Sequence, residues 1–463
     1  MGAFTDTVPG AFICKLLGDY LQCNKEQSQE ETSIAINDIV CILPSSMERQ
    51  ETTYSVLYLE RHGGSSDANT VDDRVRLVRI STGSLPSTLL SQYLYKELPR
   101  HLSSLSRIHV VISTGSGAGK AKSLYQDVLQ PFLSYLGLTT CEVHETQSSQ
   151  TITELAHSKF IPCAQTGIDQ TIILLSGDGG LVDIVDAFYN SSESMIVPPC
   201  IGLMPTGTGN AMANSIGLHC PIMGLMTLLR GKPRRIPVFA ASFSPRSQYI
   251  TEEGRGRAPI CSDQTVETED HKVYGAVVAS WGIHAALVAD SDTLAYRKFG
   301  VDRFKLAAKE LLCPSDGSPT HSYHAIITLA KKSKGADNQQ MEAMDQNEHM
   351  YVLATLVSRL EKGFVISPDT SPLDGCLRFV HFGPTPPDVA MQLMSKAYQG
   401  GLHVHEKAVT YKEIEGFRID FREEDERWRR VCIDGKIIAV ERGGWMEVRR
   451  EPRCLLNLIA DFP

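Results

Sequence analysis

From Arg107 onward, apolar runs alternate with amphipathic stretches. Ile108 to Ile112 reads as a buried strand, Ser113 to Gly119 as a turn, and Lys120 to Leu136 as an amphipathic helix. Thr139 to His144 reads as a second strand, with Ser148 to Ala156 as its helix. Ile172 to Leu175 and Ile201 to Pro205 are two more apolar runs. Each is followed by a glycine-rich turn and a helix-like run, Leu181 to Phe188 and Ala211 to Ile216. Strands alternating with helices imply a parallel sheet in an open α/β unit. Ligands bind such sheets beyond the carboxyl ends of the strands, where all three glycine turns lie.

The flanks differ. Residues 1–104 read as an accessory unit without assignable chemistry. Thr32 to Leu43, Thr53 to Tyr58 and Arg74 to Ser81 look like strands there, Gly63 to Asp73 like a polar loop, and Leu85 to Leu105 like a helix. The α/β unit spans residues 105–235. Across 236–463, strand-like runs dominate: Lys272 to Ser280, Tyr323 to Leu329, Tyr351 to Val357, Gly375 to His381, Ala408 to Glu413, Gly416 to Phe421, Arg430 to Asp434 and Trp445 to Arg449. This suggests an antiparallel β domain, and the C-terminal segment is a candidate to return to the α/β unit. Ser242 to Glu269 and Lys331 to Glu348 lack apolar periodicity and are expected to be disordered loops.

Composition narrows the class. A chain of 463 residues has room for two or three domains, and 42% hydrophobic against 21% charged residues marks it as globular. The net charge of −9 argues against nucleic-acid binding. The 12 cysteines are scattered, Cys14 and Cys23 being the nearest pair, and none forms Cys-x-x-Cys. A zinc site built on such a pair is excluded, and a reduced compartment fits. No apolar run approaches the roughly 18 residues that span a bilayer. Neither a secretory signal nor myristoylation is expected, since Asp6 stands where the latter needs Ser or Thr.

The glycine turns carry the chemistry. In the first, Ser113, Gly115, Ser116, Gly117, Gly119 and Lys120 allow close backbone approach to phosphate. It is no Walker loop, because Thr114 and Ala121 occupy the required Gly and Ser/Thr positions. The second turn sets Asp178 between Gly177 and Gly179. A carboxylate there could accept a proton from an attacking hydroxyl, organise Mg²⁺, or cap the following helix. The third turn offers Gly207, Thr208, Gly209 and Asn210.

Ser176-Gly177-Asp178-Gly179 followed by Pro205-Thr206-Gly207-Thr208-Gly209-Asn210-Ala211 resembles the signatures of the diacylglycerol kinase catalytic family, and its sphingosine kinase branch fits best. The first turn resembles that family's first motif, with Ser113-Thr114 in place of Asn-Pro. Ser280-Trp281-Gly282 through Asp290-Ser291-Asp292, Tyr296 to Gly300, Ser367-Pro368 to Gly375 and Ile433-Asp434-Gly435 continue the match, which runs from about Arg107 to Arg450.

The resemblance implies an ATP- and Mg²⁺-dependent lipid kinase of class α/β plus all-β. An open, Rossmann-like α/β nucleotide domain would be followed by an antiparallel β-sandwich lipid domain. By position Asp178 would be the general base, and the first and third turns would cradle ATP. Thr146 would contact the nucleotide, Arg297 and Arg303 would pair with phosphate, and Asp434 would approach nucleotide or metal. The metal ligand would be Asp178 or Asp434. Asp290 and Asp292 would meet the lipid; a carboxylate there suits the ammonium of a sphingoid base, which diacylglycerol and ceramide lack. Asp292 ranks first by its spacing to Arg297. The expected setting is cytoplasmic, with peripheral membrane contact.

Three departures from the family pattern, Ser113-Thr114, Gly180 and Lys436 in place of Glu, leave a catalytically weak lipid-binding regulator as the alternative from another class. Asp183 also stands where the family has Glu. Diacylglycerol or ceramide kinase is the alternative among lipid kinases. An NAD kinase shares Gly-Asp-Gly, but the third turn argues against it. His403-x-His405 offers two metal ligands without a third, and no Ser-His-Asp arrangement emerges.

Overall fold

A computed structural model describes residues 12–25, 31–48, 51–62, 74–103, 105–191, 194–260, 272–299, 302–331 and 340–462. Its centre is a six-stranded sheet ordered Lys232–Arg235, Asn457–Ala460, Cys200–Pro205, Gln170–Ser176, Arg107–Ile112, Glu142–Glu145. All neighbours in it are parallel except Lys232–Arg235, which runs antiparallel to Asn457–Ala460. Gln170–Ser176 is buried at all seven positions. Its residues alternate between two cores: Ile172 and Leu174 face Leu181 and Phe188, while Ile173 and Leu175 face Phe132 and Leu225. A strand buried on both faces needs such an unbroken apolar run.

The chain steps outward from Arg107–Ile112 to Glu142–Glu145 and then returns to Gln170–Ser176 on the other side. The switch point therefore lies between Arg107–Ile112 and Gln170–Ser176, and the first two glycine turns leave these two strands. The helices after Arg107–Ile112 and Glu142–Glu145 each contain a π-helical turn, Tyr125–Leu129 and Ala156–Phe160. Pro131 and Pro162 follow these turns, and a proline has no N–H to continue the regular ladder.

Two antiparallel sheets form the second half. One is ordered Val273–Gly275, Val238–Phe243, Trp445–Glu451, Gly416–Phe421, Tyr323–Lys331, Gln340–Ala343, with Glu348–His349 on Tyr323–Lys331. The other has eight strands, ordered Gly256–Pro259, Gln248–Thr251, Lys436–Ala439, Arg430–Ile433, Val278–Gly282, Tyr351–Thr355, Leu377–Phe382, Val409–Ile414. Phe239, Phe417 and Phe421 from the first sheet and Trp281 and Phe379 from the second share one core. The final strand, Asn457–Ala460, leaves this region and joins the parallel sheet beside Cys200–Pro205.

The N-terminal residues form a separate six-stranded sheet, with Val40, Leu57 and Leu77 packed into the core that holds Ile108 and Phe132. Cys14 and Cys23 are opposed across two antiparallel strands, 4.2 Å apart at Cα, and are joined as a disulfide. The scattered spacing, read as fitting a reduced compartment, did not anticipate this pair.

Several expected elements change. The helix read over Leu85 to Leu105 is only Ser87–Tyr93, followed by a short turn at Arg100–Leu102. Leu94 is extended, and Pro99 disfavours helical geometry in the residue before it. The supposed loop at 242–269 contains a hairpin, Gln248–Thr251 with Gly256–Pro259, and 340–343 pairs with Thr328 to Lys331. Gly256–Pro259 and Gln340–Ala343 are edge strands, and Gln248–Thr251 beside the first is at most half-buried, so polar exposed faces hid their pattern. Residues 261–271, 332–339 and the loop at 63–73 lie outside the described residues. The helix Pro387–Ala397 was not anticipated. No helix among the described residues is long and apolar enough to cross a membrane.

Candidate active site

The three glycine turns touch one another through their backbones. A Cβ on Gly117, where φ is +55°, would lie 2.2 Å from the Thr206 carbonyl oxygen. One on Gly207 would lie 2.4 Å from Gly177 Cα, and one on Gly177 would lie 3.1 Å from Gly207 Cα. Only glycine permits this approach. Ser116 Oγ accepts the Gly177 N–H at 2.9 Å, linking the first turn to the second. Asn210 is left-handed (φ 52°) and closes the third turn on itself: its Oδ1 accepts the Gly207 N–H at 2.9 Å and its Nδ2 donates to Gly207 O at 2.7 Å.

Asp178 is the hub. Gly177, not Asp178, is the N-cap of the helix Asp178–Asn190, so the capping role expected for the acid within its own helix is not the one observed. Its carboxylate instead accepts the N–H of Ala211 at 2.7 Å and of Met212 at 2.9 Å, the first residues of the helix after the third turn. Burial raises its pKa, and these N–H groups oppose the shift. Each oxygen keeps a lone pair with which to accept another proton.

Asp434 is a second acid and is buried. With Gly435 it makes a two-residue hairpin turn, both at positive φ, between the paired Ile433 and Lys436. Asp-Gly suits that turn. The carboxylate is held by the successive N–H groups of Ala276 (2.6 Å), Val277 (3.1 Å) and Val278. Burial nevertheless pushes its pKa up to about 7, and the charge of Asp178 adds to the rise.

Lys436, standing where a Glu was expected, reaches across to the helix after the second turn. Its Nζ lies 3.1 Å from Asp183 Oδ1 and 3.2 Å from Asp186 Oδ2. Burial raises the pKa of Asp183 and the ammonium opposes it; for Lys436 the two acids outweigh desolvation and raise its pKa. Lys436 is thus a bridge between an antiparallel hairpin and the α/β unit. Gly180 also has a local reason: a Cβ there would lie 2.5 Å from Ser176 Oγ and 3.2 Å from Ile152 Cδ1.

The remaining candidates separate. Thr146 is buried and its hydroxyl accepts the Thr114 N–H at 3.1 Å, so it supports the first turn from behind. Gly115, Gly119, Lys120 and Thr208 are exposed. Among the described residues the N–H groups of Gly115, Gly117, Thr208 and Gly209 have no protein acceptor. Asp290 is held by Arg430 (2.7 Å) and Arg427 (3.1 Å), whereas Asp292 is 46% exposed with Arg303 at 3.7 Å. Arg303 therefore meets Asp292; the side chain of Arg297 lies outside the described residues. His403 is buried on a 3-10 turn, and its burial lowers its pKa to about 4.

Sequence reasoning missed three features. Thr206 Oγ1 is buried and has no hydrogen-bond partner among the described residues. The Leu360 carbonyl oxygen lies 3.1 Å from where a Gly209 Cβ would stand. Asp186 joins Asp183 in holding Lys436, and its three-residue spacing from Asp183 on one helix was the available signal.

Residues 107–241 match the family model described as diacylglycerol kinase catalytic domain. Sphingosine kinase 1 of Arabidopsis thaliana is 21% identical over 379 residues, 73% of this chain and 70% of that protein. Sphingoid long chain base kinase 4 of Schizosaccharomyces pombe is 20% identical over 341 residues, 70% of this chain and 68% of that protein. Among solved structures, a putative diacylglycerol kinase from Bacillus anthracis str. Sterne aligns with a TM-score of 0.50 at 13% identity, covering 78% of this chain and 98% of that one. That likeness is one of fold.

Proposed function

Because the chain belongs to the diacylglycerol kinase catalytic family, on its sphingosine kinase branch, and is a lipid kinase, we propose that it phosphorylates the primary hydroxyl of a sphingoid long-chain base. The observation that carries this reading is the closure of three glycine turns around the half-buried carboxylate of Asp178.

The family implies ATP with a divalent metal, which we assign as Mg²⁺. The residues fit a polyphosphate. Side chains are absent where the turns meet, and among the described residues the N–H groups of Gly115, Gly117, Thr208 and Gly209 lack acceptors and the buried Thr206 Oγ1 has no partner. Ser113, Gly115, Ser116, Gly117, Gly119 and Lys120, with Gly207, Thr208, Gly209 and Asn210, would hold the phosphates. Gly177 and Gly179 flank the acid. Asp178 or Asp434 would hold the metal. ATP would supply the phosphoryl group, and the metal would neutralise charge on it.

Asp178 takes the proton of the lipid hydroxyl on a carboxylate oxygen. Its raised pKa makes it a better base than an exposed aspartate, and two N–H donors fix its orientation. Asp434 is buried nearby, and the charge of Asp178 adds to the rise of its own pKa. Thr146 keeps the first turn in register through Thr114. Asp292, the more exposed acid of its pair, meets the lipid ammonium, with Arg303 3.7 Å away; Arg303 and Arg297 are assigned to phosphate by motif position alone. Asp290 positions this segment through Arg427 and Arg430. The β-sandwich supplies the lipid side of the cleft. Residues 105–235 form the nucleotide domain, residues 236–463 the lipid domain apart from the C-terminal strand Asn457–Ala460 that returns to the α/β sheet, and residues 1–104 an accessory unit. Contact with the bilayer that holds the substrate is peripheral and on the cytoplasmic side.

The test is a phosphorylation assay with labelled ATP and a panel of sphingosine, phytosphingosine, ceramide and diacylglycerol. Label on the sphingoid bases supports the proposal. Transfer to diacylglycerol or ceramide alone would remove the sphingoid assignment. ATP binding without transfer to any lipid would identify a regulator of the same fold.

A further inference from the structure

A second cluster of ligand-type side chains lies away from the glycine turns, on the first two strands of the parallel sheet. In the pairing of Arg107–Ile112 with Glu142–Glu145, His109 stands opposite Glu142, and Val111 opposite His144. Glu142 and His144 are two residues apart and share a face of their strand. His109 Nδ1 and His144 Nε2 are 3.3 Å apart, and His109 Nδ1 is 3.9 Å from Glu142 Oε2. One ligand atom from each residue falls within 4.8 Å of the others.

These separations suit a metal ion. Two ligands at 2.0–2.1 Å in tetrahedral geometry stand roughly 3.3–3.4 Å apart. The His109 ring is 1% exposed and lies 5.0 Å from the Phe160 ring, which wedges it in place. Its Nε2 has no partner among the described residues, so the ring directs its polar interaction through Nδ1 into the cluster. His144 and Glu142 are only partly buried, which leaves an entry path from solvent.

We propose that His109, Glu142 and His144 bind one divalent cation of the imidazole-preferring class, with Zn²⁺ the best match. Two nitrogens and one carboxylate are a zinc-type donor set, whereas Mg²⁺ prefers oxygen. The fourth position would be water. This ion is distinct from any that serves phosphoryl transfer. It would tie the edge strand to its neighbour two residues before Thr146, which holds Thr114 in the first turn.

Two cations compete for Glu142. Lys159 Nζ lies 2.8 Å from its Oε2 and Arg107 Nε lies 3.9 Å from its Oε1. The Lys159 side chain is 44% exposed and can swing into water when a metal displaces it.

The test uses the purified full chain stripped with chelator. Zn²⁺ is titrated by calorimetry, and Co²⁺ serves as a spectroscopic probe. One site is expected, with tetrahedral Co²⁺ absorption and no thiolate charge-transfer band. His144→Ala should weaken it by more than ~10-fold, the lower bound for losing even an outer-shell partner. Lys159→Met should tighten it, because Glu142 is released. Circular dichroism checks folding, with His144→Gln as the alternative variant. No Zn²⁺ binding, binding unchanged in the His144 variants, or a thiolate band would overturn the proposal. Unchanged affinity in Lys159→Met would remove Glu142 from the ligand set.

Discussion

Asp178 Oδ2 accepts the N–H of Ala211 at 2.7 Å, so the acid of the second glycine turn caps the helix of the third. The proposed base is therefore also a structural joint. Asp178→Asn should lower kcat by about 10²–10⁴-fold. It also turns an NH₂ group toward one of the two N–H donors, at a cost of about 1–3 kcal/mol. Single-turnover phosphorylation and urea unfolding measured together separate the effects: ATP affinity should survive where turnover does not. Unimpaired turnover would remove Asp178 from catalysis.

Gly207→Ala and Gly115→Ala should part company. The first places a methyl 2.4 Å from Gly177 Cα, against backbone that cannot swing aside; the second meets nothing within 4 Å. Expected losses are about 1–3 kcal/mol for Gly207→Ala, with ATP binding lost, and within about 0.5 kcal/mol for Gly115→Ala. Thermal unfolding with and without ATP reads both.

Lys436 is held by two carboxylates from another part of the fold. Lys436→Met leaves both acids partly buried without their cation. Allowing for partial exposure, it should destabilise by about 2–4 kcal/mol. Adding Asp183→Asn and Asp186→Asn should recover much of that loss. Lys436→Glu, which restores the residue expected from the family, should be worse than Met because it adds a third negative charge. Equal stability of the Met and Glu variants would argue against an electrostatic clasp.

Asp290 and Asp292 should give different phenotypes. Asp290 carries two arginines, so Asp290→Asn should lower stability. Asp292 is the more exposed, so Asp292→Asn should raise KM for a sphingoid base by roughly tenfold, the scale of a charge-assisted contact. Steady-state kinetics on the amine lipid decides it: an unchanged KM in Asp292→Asn would end the ammonium-pairing assignment.

Stability should also carry the mark of Asp434. Its carboxyl is held up to about 7 in the fold, against about 3.9 in an unfolded chain. Between these values the native state binds more protons than the unfolded state, so stability falls as pH rises from about 4 to about 7 and levels off above. The span is about 4 kcal/mol at most. Denaturant unfolding across that range should show this slope, and Asp434→Asn should flatten it. Identical pH profiles would show that Asp434 does not titrate in this window.

The motif residues were legible because the turns are local. Glycines between a strand and a helix announce themselves through backbone freedom and apolar periodicity. The parallel strands were legible for a similar reason, since burial on both faces demands unbroken apolar runs such as Ile172 to Leu175. The strand Gln248–Thr251 was not, because its four residues are exposed or only half-buried and carry no such pattern.

By itself, the sequence determined the three turns, the acid at 178, the alternating α/β elements and the family likeness. All of these follow from short-range spacing. Only the tertiary structure decided what the acids do for one another: Asp178 capping a distant helix, Asp434 seated on three successive N–H groups, and Lys436 answering Asp183 and Asp186. The physical reason is that these contacts join residues far apart in the chain. Their strength depends on burial and on backbone N–H groups, neither of which a side-chain sequence records.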